Sequence, residues 1–374
     1  MRDLIKLTAR PGILSLAGGL PANESLPSDE LRDCFDTVLF RDNGLALQYG
    51  PPVLALREWI AEYMRGRGVD CKTDQVYITS GNQQGLMILS RLFLNPGDKA
   101  VTEAITFTGV KQVTQGRGAN VLAVPVDLQS GVDVDALESA FKQGPCLAVL
   151  IPDFHNPLGV SITAEKRTRI AELSAQYGVF ILEDDPYSAL RFTGQAIPPI
   201  KAFDIDDTVF YLGSFSKMLA PALRLGWMIA PQSMMEQITV MRESIDLESS
   251  ALIQRGVAEY LSRGLMDDHL EQLNATNGER CAALLSALDE YLGDIATWTQ
   301  PEGGLFVWVT LPKTMDTWQL FDKALAQDVA FIPGGAFSVV GEQHNTMRLN
   351  FSKLPPHDLH EAVRRLAGVI RDSL

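Results

Sequence analysis

The chain has 374 residues, enough at about 100 to 200 residues per domain for two or three domains, or for one large α/β body with a smaller lobe. Hydrophobic residues make up 46% and charged residues 21%, close to ordinary globular values, so the composition disfavours collagen-like, coiled-coil and disordered chains. A net charge of −14 without any Lys/Arg run argues against a nucleic-acid partner or an anionic membrane.

The four cysteines, at positions 34, 71, 146 and 281, are scattered and form neither a CxxC pair nor a metal-binding spacing. Isolated thiols of this kind are typical of a reducing compartment. The N-terminal sequence MRDLIKLTARPG is charged and lacks the apolar core of a signal peptide, and no stretch approaches about 18 uncharged apolar residues. We therefore expect a cytoplasmic protein with no membrane partner.

Between residues 73 and 230, short apolar runs alternate with amphipathic stretches. Residues 75–79 (QVYIT) predict a strand, 83–94 a helix ended by Asn-Pro-Gly, and 100–102 the next strand. Further strands are predicted at 121–124, 147–151, 179–182, 209–212 and 225–229. Several of these runs are apolar throughout, as in strands that are covered on both faces, so we expect a mostly parallel sheet flanked by helices.

The last third of the chain has a different pattern. Residues 233–292 lack proline and predict two or more long helices that leave the sheet. Strands at 304–310, 330–332 and 347–351 and helices at 317–326 and 356–371 then predict a smaller α+β lobe. The first 40 or so residues are short and interrupted by Gly and Pro, so we expect them to pack on that lobe or line a cleft.

The common cofactor and hydrolase motifs GxxxxGK[ST], GxGxxG, HExxH and GxSxG do not occur, and His357 with His360 is better explained as an exposed helix face than as a metal site. No metal is predicted. The informative stretch is GSFSK at 213–217, which follows a predicted strand and precedes Arg224. A lysine just past a strand end lies at the rim of an α/β sheet, where ligands bind. Taken alone, Lys217 is better explained as a solvated surface lysine than as a catalytic one, and only its neighbours in the sequence favour the catalytic role.

The run SFSKMLAPALRLGW at 214–227 resembles the Schiff-base segment of the fold-type I, class I/II aminotransferases that use pyridoxal 5′-phosphate (PLP), and it looks closest to the 2-aminoadipate aminotransferase branch. Six further family motifs occur in order: LAGGLP at 16–21, QYGPP at 48–52, SGNQQ at 80–84, PDFHNPLG at 152–159, EDDPY at 183–187 and MRLNF at 347–351. The resemblance covers nearly the whole chain. It implies an α/β three-layer sandwich with a mostly parallel sheet plus a smaller α+β lobe.

The motifs also predict a division of the chain. Residues 1–44 form an N-terminal segment that joins the small lobe and the cleft, 45–265 a large PLP-binding domain, and 266–374 a small C-terminal domain. The predicted domains therefore do not follow one another as simple blocks, because the N-terminal segment joins the last third.

The resemblance implies three catalytic residues. Lys217 forms the internal aldimine with PLP and then carries the proton between the substrate Cα and the cofactor. Asp184 keeps the pyridinium nitrogen protonated, because a buried carboxylate favours the charged ring. Tyr187 hydrogen-bonds the cofactor O3′ together with Asn156.

The remaining implied contacts bind the cofactor phosphate, its ring and the substrate. A phosphate needs dense donors, which a helix N-terminus, hydroxyl groups and a guanidinium supply. The implied phosphate ligands are the backbone of Gly81, Asn82 and Gln83, with Ser214, Ser216 and Arg224. Phe107 stacks on the ring, and Arg348 clamps the substrate α-carboxylate. Gly18 and Gly19 open a loop that covers the substrate, and Tyr49 reaches the phosphate of a neighbouring subunit, which implies a homodimer.

The chain departs from the family pattern at several places near the cofactor face. The loop after Tyr49 is shorter, His155 and Leu158 stand where Gln and Thr are common, and Phe107 replaces the usual tyrosine. The leading hypothesis is an aminotransferase that acts on an L-amino acid and a 2-oxo acid, with 2-oxoglutarate as the acceptor by family habit. Because of these departures, a PLP-dependent elimination, cyclisation, decarboxylation or oxidation of an amino acid remains an alternative to transamination.

A PLP-binding regulatory module is the remaining alternative, because the family includes aminotransferase-like domains fused to DNA-binding domains. The motifs begin by residue 16, which leaves no room for a winged helix before them. Residues 15–23 mix apolar and polar types, so the side chain of the donor amino acid stays open at this stage.

Overall fold

The structure is a computed structural model that describes residues 12–341 and 343–374. The first 11 residues of the predicted N-terminal segment 1–44 therefore lie outside the described residues. None of the helices in the described part of the chain is both long and apolar enough to cross a membrane.

Strands occur throughout the described part of the chain. In chain order they are β1 (Leu14–Ser15), β2 (Val76–Thr79), β3 (Lys99–Glu103), β4 (Asn120–Val124), β5 (Val126–Asp127), β6 (Gly131–Val132), β7 (Leu147–Leu150), β8 (Phe180–Asp185), β9 (Val209–Ser214), β10 (Gly226–Ile229), β11 (Thr297–Trp298), β12 (Phe306–Thr310), β13 (Val329–Ala330), β14 (Ile332–Pro333) and β15 (Thr346–Asn350).

Helices separate most of these strands. They are α1 (Ser28–Asp42), α2 (Leu54–Gly66), α3 (Asn82–Phe93), α4 (Thr108–Thr114), α5 (Val134–Phe141), α6 (Ala164–Tyr177), α7 (Phe215–Met218), α8 (Met235–Glu243), α9 (Ala251–Ser262), α10 (Leu265–Leu292), α11 (Thr317–Leu325) and α12 (Pro356–Arg371). The predicted helical stretch at 233–292 thus contains α8, α9 and the 28-residue α10.

The large sheet has the strand order β2-β10-β9-β8-β7-β3-β4, and β10 alone runs antiparallel to its neighbours. Adjacent positions of β8 point to opposite faces, as in any strand. Leu182 packs with Leu86 of α3 on one face, and Ile181 packs with Ile170 of α6 on the other. Helices therefore cover both faces, which confirms the predicted three-layer α/β sandwich with a mostly parallel sheet.

A four-stranded antiparallel sheet, ordered β11-β12-β15-β14, packs with α11, α12 and the C-terminal half of α10; we call this assembly the small lobe. The sequence predicted one strand at 330–332, and this was wrong, because the chain changes partners there. Ala330 of β13 pairs with Ser15 of β1, whereas Ile332 of β14 pairs with Arg348 of β15.

The N-terminal segment contacts two parts of the molecule. Strand β1 joins the small lobe through β13, and the loop after it reaches the cleft. Helix α1 instead packs against α9, and its Cys34 shares a buried cluster with Leu56 of α2. The division at residues 44 and 265 stays a prediction.

Candidate active site

The predicted site residues meet at the carboxyl edge of β7, β8 and β9, beneath the small lobe. They line a cavity of about 430 Å³ together with side chains of the small lobe. The predicted residues that line it are Gly18, Gly19, Asn82, Gln83, Phe107, Asn156, Asp184, Tyr187, Ser214, Ser216, Lys217, Arg224 and Arg348. The carboxyl edge of a parallel sheet is where α/β folds bind ligands.

Strand β8 ends in three consecutive carboxylates with different partners. Glu183 accepts hydrogen bonds from the backbone N–H groups of Ile200 and Lys201, at 2.7 and 2.9 Å. Asp185 accepts from Arg67 and from the hydroxyl of Tyr211, at 2.9 and 2.8 Å. Only Asp184 lines the cavity, so it is the carboxylate of this group that a ligand can contact.

Asp184 has no cationic partner among the described residues, although only 3% of it is exposed. Asn82 Nδ2 donates to its Oδ1 at 2.7 Å. Burial raises the pKa of Asp184 to about 7; the Asn82 hydrogen bond opposes this rise and the charge of Asp185 adds to it. A buried carboxylate with this environment is stabilised by a ligand that carries a positive charge or a protonated ring nitrogen.

Lys217 lies on the short helix α7, directly after β9. Its Nζ donates to the backbone carbonyl of Gly19 at 2.6 Å. Burial, together with the smaller repulsion from Arg348 and Arg224, lowers the pKa of Lys217 to about 8. More of this amine is therefore neutral near physiological pH than in an ordinary lysine, and the neutral form is the one that acts as a nucleophile or a proton acceptor.

Several hydrogen-bond donors lie together at the N-terminus of α3. Gly81, with a φ of +90°, precedes the first turn, whose free N–H groups attract negative charge. A Cβ at Gly81 would lie 3.0 Å from Nη2 of Arg224, so glycine lets the guanidinium approach. Ser214 and Ser216 join their hydroxyls at 2.9 Å beside it. Amide, hydroxyl and guanidinium donors therefore converge where a phosphate can bind.

Arg224 itself has a left-handed backbone, with a φ of +48°. This conformation is strained for a residue with a side chain and is often found at ligand sites. Its Nη2 donates to the carbonyl of Ser80 at 2.9 Å, which holds the guanidinium beside the helix.

Asn156 connects the large sheet to the small lobe. Its Nδ2 donates to the hydroxyl of Tyr187 at 3.2 Å, and its Oδ1 accepts from Nη1 of Arg348 at 2.9 Å. Burial raises the pKa of Tyr187, so its phenol stays protonated and can donate. The amide thus fixes the relative positions of a phenol and a guanidinium.

Arg348 is 6% exposed and lies between two aromatic rings. Its Cζ is 4.2 Å from the ring centroid of Phe306 and 4.9 Å from that of Phe337. Nη2 donates to the carbonyls of Ala17 and Gly18, and burial lowers the pKa of Arg348 to about 10. A guanidinium fixed in this way presents a flat cation to a carboxylate.

Phe107 lies at the start of α4 and lines the cavity. A Cβ at Gly109 would lie 2.3 Å from its ring and 2.2 Å from Oε1 of Gln83, so glycine lets both side chains fill this wall. The sequence predicted Leu20 as a wall residue, within the range 15–23, but did not single out Phe337, Ile151 or Thr108. Phe337 follows a glycine pair in a loop, and no local pattern marks such a residue as part of a site.

Two predicted residues do not line the cavity. Gly81 lies beside it, at the start of α3. Tyr49 is 79% exposed, and the following Gly50 donates its N–H to Glu248. The contact of Tyr49 with the phosphate of a neighbouring subunit, which the resemblance implies, stays a prediction.

The donors and acceptors fit the cofactor that the resemblance implies. The donors at the N-terminus of α3, the carboxylate of Asp184 and the amine of Lys217 surround a single cavity that Phe107 and Ile151 line with apolar surface. These are the groups that a phosphate, a basic ring nitrogen, an aldehyde and an aromatic ring require.

Known proteins resemble this chain over its whole length. The family model for aminotransferase class I and II matches residues 15–366. An aromatic-amino-acid aminotransferase of Thermococcus litoralis is 38% identical, over 100% of this chain and 92% of its own length. A 2-aminoadipate transaminase of Thermus thermophilus is 36% identical, over 100% of this chain and 94% of its own. A crystal structure of Pyrococcus horikoshii kynurenine aminotransferase with PMP has a TM-score of 0.95 at 35% identity, covering 100% of this chain and 94% of that one.

Proposed function

The chain belongs to the class I and II aminotransferases and is a PLP-dependent transaminase, and we propose that it moves the amino group of an L-amino acid with an apolar or aromatic side chain to 2-oxoglutarate. One observation carries the proposal: Lys217, Asp184 and Arg348 open into the same cavity, whose other walls are largely apolar.

We assign the cofactor contacts from the donors described above. The N-terminus of α3, Ser214, Ser216 and Arg224 would hold the phosphate, and Asp184 would accept a hydrogen bond from the protonated ring nitrogen. Tyr187 would donate to the phenolic oxygen, and Phe107 would pack against the ring. Bound PLP supplies the electron sink that stabilises negative charge at the substrate Cα.

Lys217 moves the proton. With PLP bound, the neutral amine would accept the proton released from the substrate Cα and, as an ammonium, would donate it back to complete the transfer. A pKa of about 8 suits both steps, because the amine is neither fully protonated nor too weak a base at neutral pH.

Arg348 orients the substrate. Its guanidinium would bind the α-carboxylate in a bidentate pair, and its packing against the rings of Phe306 and Phe337 restricts its movement. This contact holds the Cα–H bond within reach of Lys217.

The apolar wall supports the choice of donor. Arg224, Arg348 and Lys217 are the cationic side chains that line the cavity among the described residues, and each already has a role. Leu20 and Phe337 remain for the side chain of the donor, which suits an apolar or aromatic group. The names of the aromatic-amino-acid and kynurenine aminotransferases among the relatives support the same choice.

The acceptor needs a place for its second carboxylate. Lys353 lies beside the loop that covers the cavity, with its Cδ 4.0 Å from the position of a Cβ on Gly18. It is exposed and can swing toward a carboxylate at the edge of the cavity. The 2-aminoadipate transaminase, whose named substrate carries a second carboxylate, supports this assignment.

We also propose a homodimer. Phe40, Leu45, Leu47 and Tyr49 are 92%, 70%, 69% and 79% exposed, an unusual cluster of apolar side chains in one short segment. A second copy of the chain would cover them and bring Tyr49 to the phosphate of the partner's site. The scattered free cysteines support a cytoplasmic location.

A half-reaction tests the proposed function. The PLP-loaded protein is mixed with single amino acids, without an oxo acid, and the absorbance of the bound cofactor is followed. We expect phenylalanine, tyrosine and leucine each to convert the bound cofactor to its amino form once, after which the absorbance stops changing. Addition of 2-oxoglutarate should restore the original absorbance. Continued turnover without an oxo acid, or conversion by aspartate alone, would contradict the proposal.

A further inference from the structure

Arg242 of α8 is a buried cation that none of the assigned roles uses. Only 1% of it is exposed, and it does not line the cavity. Its Nε donates to Asp246, four residues further along the chain, and its Nη1 donates to the carbonyl of Ile78 at 3.1 Å. A buried guanidinium is costly unless its N–H groups have partners, so the groups that Arg242 contacts fix its position.

The remaining nitrogen of Arg242 faces two hydroxyl groups. Nη2 lies 3.1 Å from Oγ of Ser249 and 3.5 Å from Oγ of Ser80, and these two hydroxyl oxygens are 3.2 Å apart. Ser249 is 5% exposed, and its carbonyl accepts from Nε2 of Gln254 at 2.8 Å, which holds it in place. Arg242 and Ser249 therefore form one side of a polar contact with Ser80.

Ser80 directly precedes Gly81, at the start of α3, where the proposed phosphate ligands converge. Its N–H donates to Oε1 of Gln84 at 2.8 Å, and its carbonyl accepts from Nη2 of Arg224 at 2.9 Å. Its hydroxyl, the third polar group, makes the contact with Arg242. All the polar groups of Ser80 are thus held, and one of them is held from α8.

A second connection joins Arg242 to the same turn. Gln84, in the first turn of α3, donates its Nε2 to Oδ2 of Asp246 at 2.7 Å, and Asp246 also accepts from Arg242. Strand β2, which carries Ile78 and leads into Ser80, lies at the edge of the large sheet, where a strand has a neighbour on one side. The network therefore ties an edge strand, and the turn after it, to α8.

We propose that Arg242 is a positioning residue for the cofactor phosphate, because it fixes, through Ser80, the turn whose N–H groups and Arg224 bind that phosphate. The inference rests on the proposed phosphate site. Arg242 acts through its position rather than its charge, since Asp246 lies against it and offsets that charge. A turn that is not held can offer the same donors, but each binding event must then order them, which weakens the binding of the phosphate.

The test compares PLP with pyridoxal, which has the same ring and aldehyde but lacks the phosphate. Absorbance titration of the full-length protein, freed of cofactor, gives both dissociation constants, and we call the ratio of the pyridoxal constant to the PLP constant the phosphate preference. We expect Arg242→Gln to lower the phosphate preference about tenfold, because PLP binds more weakly and pyridoxal does not. Ser249→Ala removes one hydroxyl of the network and should lower it about two- to threefold.

Arg280→Gln is the matched control. Arg280 is also a buried helical arginine, 6% exposed, in the C-terminal half of α10. It donates to the carbonyl of Ser352 at 2.6 Å and to Glu24 at 2.7 Å. Its loss should reduce stability without changing the phosphate preference, because a general loss of stability weakens the binding of PLP and pyridoxal alike.

An unchanged phosphate preference in Arg242→Gln would overturn the inference, and so would an equal drop in Arg280→Gln. If Arg242→Gln does not fold, Ser249→Ala decides, since an unchanged preference in that variant also overturns the inference. Arg224→Gln distinguishes the two proposals. If it keeps the wild-type preference, the proposed phosphate site is wrong and the inference falls with it. If it loses the preference while Arg242→Gln and Ser249→Ala keep theirs, only the inference fails.

Discussion

Nη1 of Arg348, on the inner strand β15 of the small lobe, donates to Oδ1 of Asn156, just beyond β7 of the large sheet, at 2.9 Å. The same amide donates to the hydroxyl of Tyr187. One side chain therefore links the proposed carboxylate clamp to the proposed cofactor contact, and the small lobe to the large sheet.

Asn156→Ala should weaken substrate binding and slow the reaction together. The change removes an acceptor from a buried guanidinium, which costs about 1.5–3 kcal/mol, so we expect kcat/KM to fall about 10- to 100-fold for both substrates. Steady-state kinetics at saturating PLP measures it. Asn120→Ala, at an exposed position at the start of β4, is the control. A normal KM in Asn156→Ala would show that Arg348 does not depend on the amide.

Arg348→Lys should not preserve function, although it keeps the charge. An ammonium cannot form the bidentate pair or stack between Phe306 and Phe337, so we expect kcat/KM to fall about 100-fold or more. The affinity for PLP should stay within about threefold, because Arg348 has no assigned contact with the cofactor. Arg364→Lys, in an exposed pair with Glu361, is the matched control. If Arg348→Lys lowered kcat/KM equally for amine substrates that lack a carboxylate, the proposed contact of Arg348 with the α-carboxylate would be contradicted.

The pKa of Lys217 predicts how the cofactor-free protein takes up PLP as the pH changes. Burial lowers this pKa to about 8, so the neutral amine, which is the reactive form, increases as the pH rises through about 8. We expect the rate of uptake, measured by stopped-flow absorbance, to rise with pH and level off above about 9. A midpoint near 10.4, the value of an ordinary lysine, would contradict a buried amine.

The exposed apolar segment predicts the oligomeric state. The double variant Leu45→Asp/Leu47→Asp places charges on the proposed dimer contact. We therefore expect the wild type to be a dimer and the variant to be a monomer whose activity is more than tenfold lower. Sedimentation velocity measures the oligomeric state, and the transamination assay measures the activity. Ile205→Asp, at a position that is 89% exposed, is the control and should stay dimeric. A monomeric wild type with full activity would contradict the proposal.

The sequence predicted the large sheet well, because its strands are apolar runs separated by clear breakers. It could not separate Asp184 from Asp185 by pattern alone; the family resemblance pointed to Asp184. The structure adds the reason, since Asp185 is paired with Arg67 and Asp184 lines the cavity.

The contacts that the sequence missed all join distant parts of the chain. Phe306 and Phe337 flank Arg348 from β12 and from a loop, and each is explained equally well as a core aromatic when read alone. Glu103 is likewise an ordinary acid at the end of an apolar strand until β7 brings His155 to it. Periodicity reports which face is buried, but not which partner a buried polar group meets.

The most direct test of the account is the site of covalent attachment of PLP. The holoenzyme is reduced with sodium borohydride, digested and mapped by peptide mass spectrometry, with Lys217→Ala treated in parallel. We predict that the pyridoxyl phosphate group is found on Lys217 and is absent from the variant, which also loses transamination. Attachment at another lysine, or full activity in Lys217→Ala, would contradict the account.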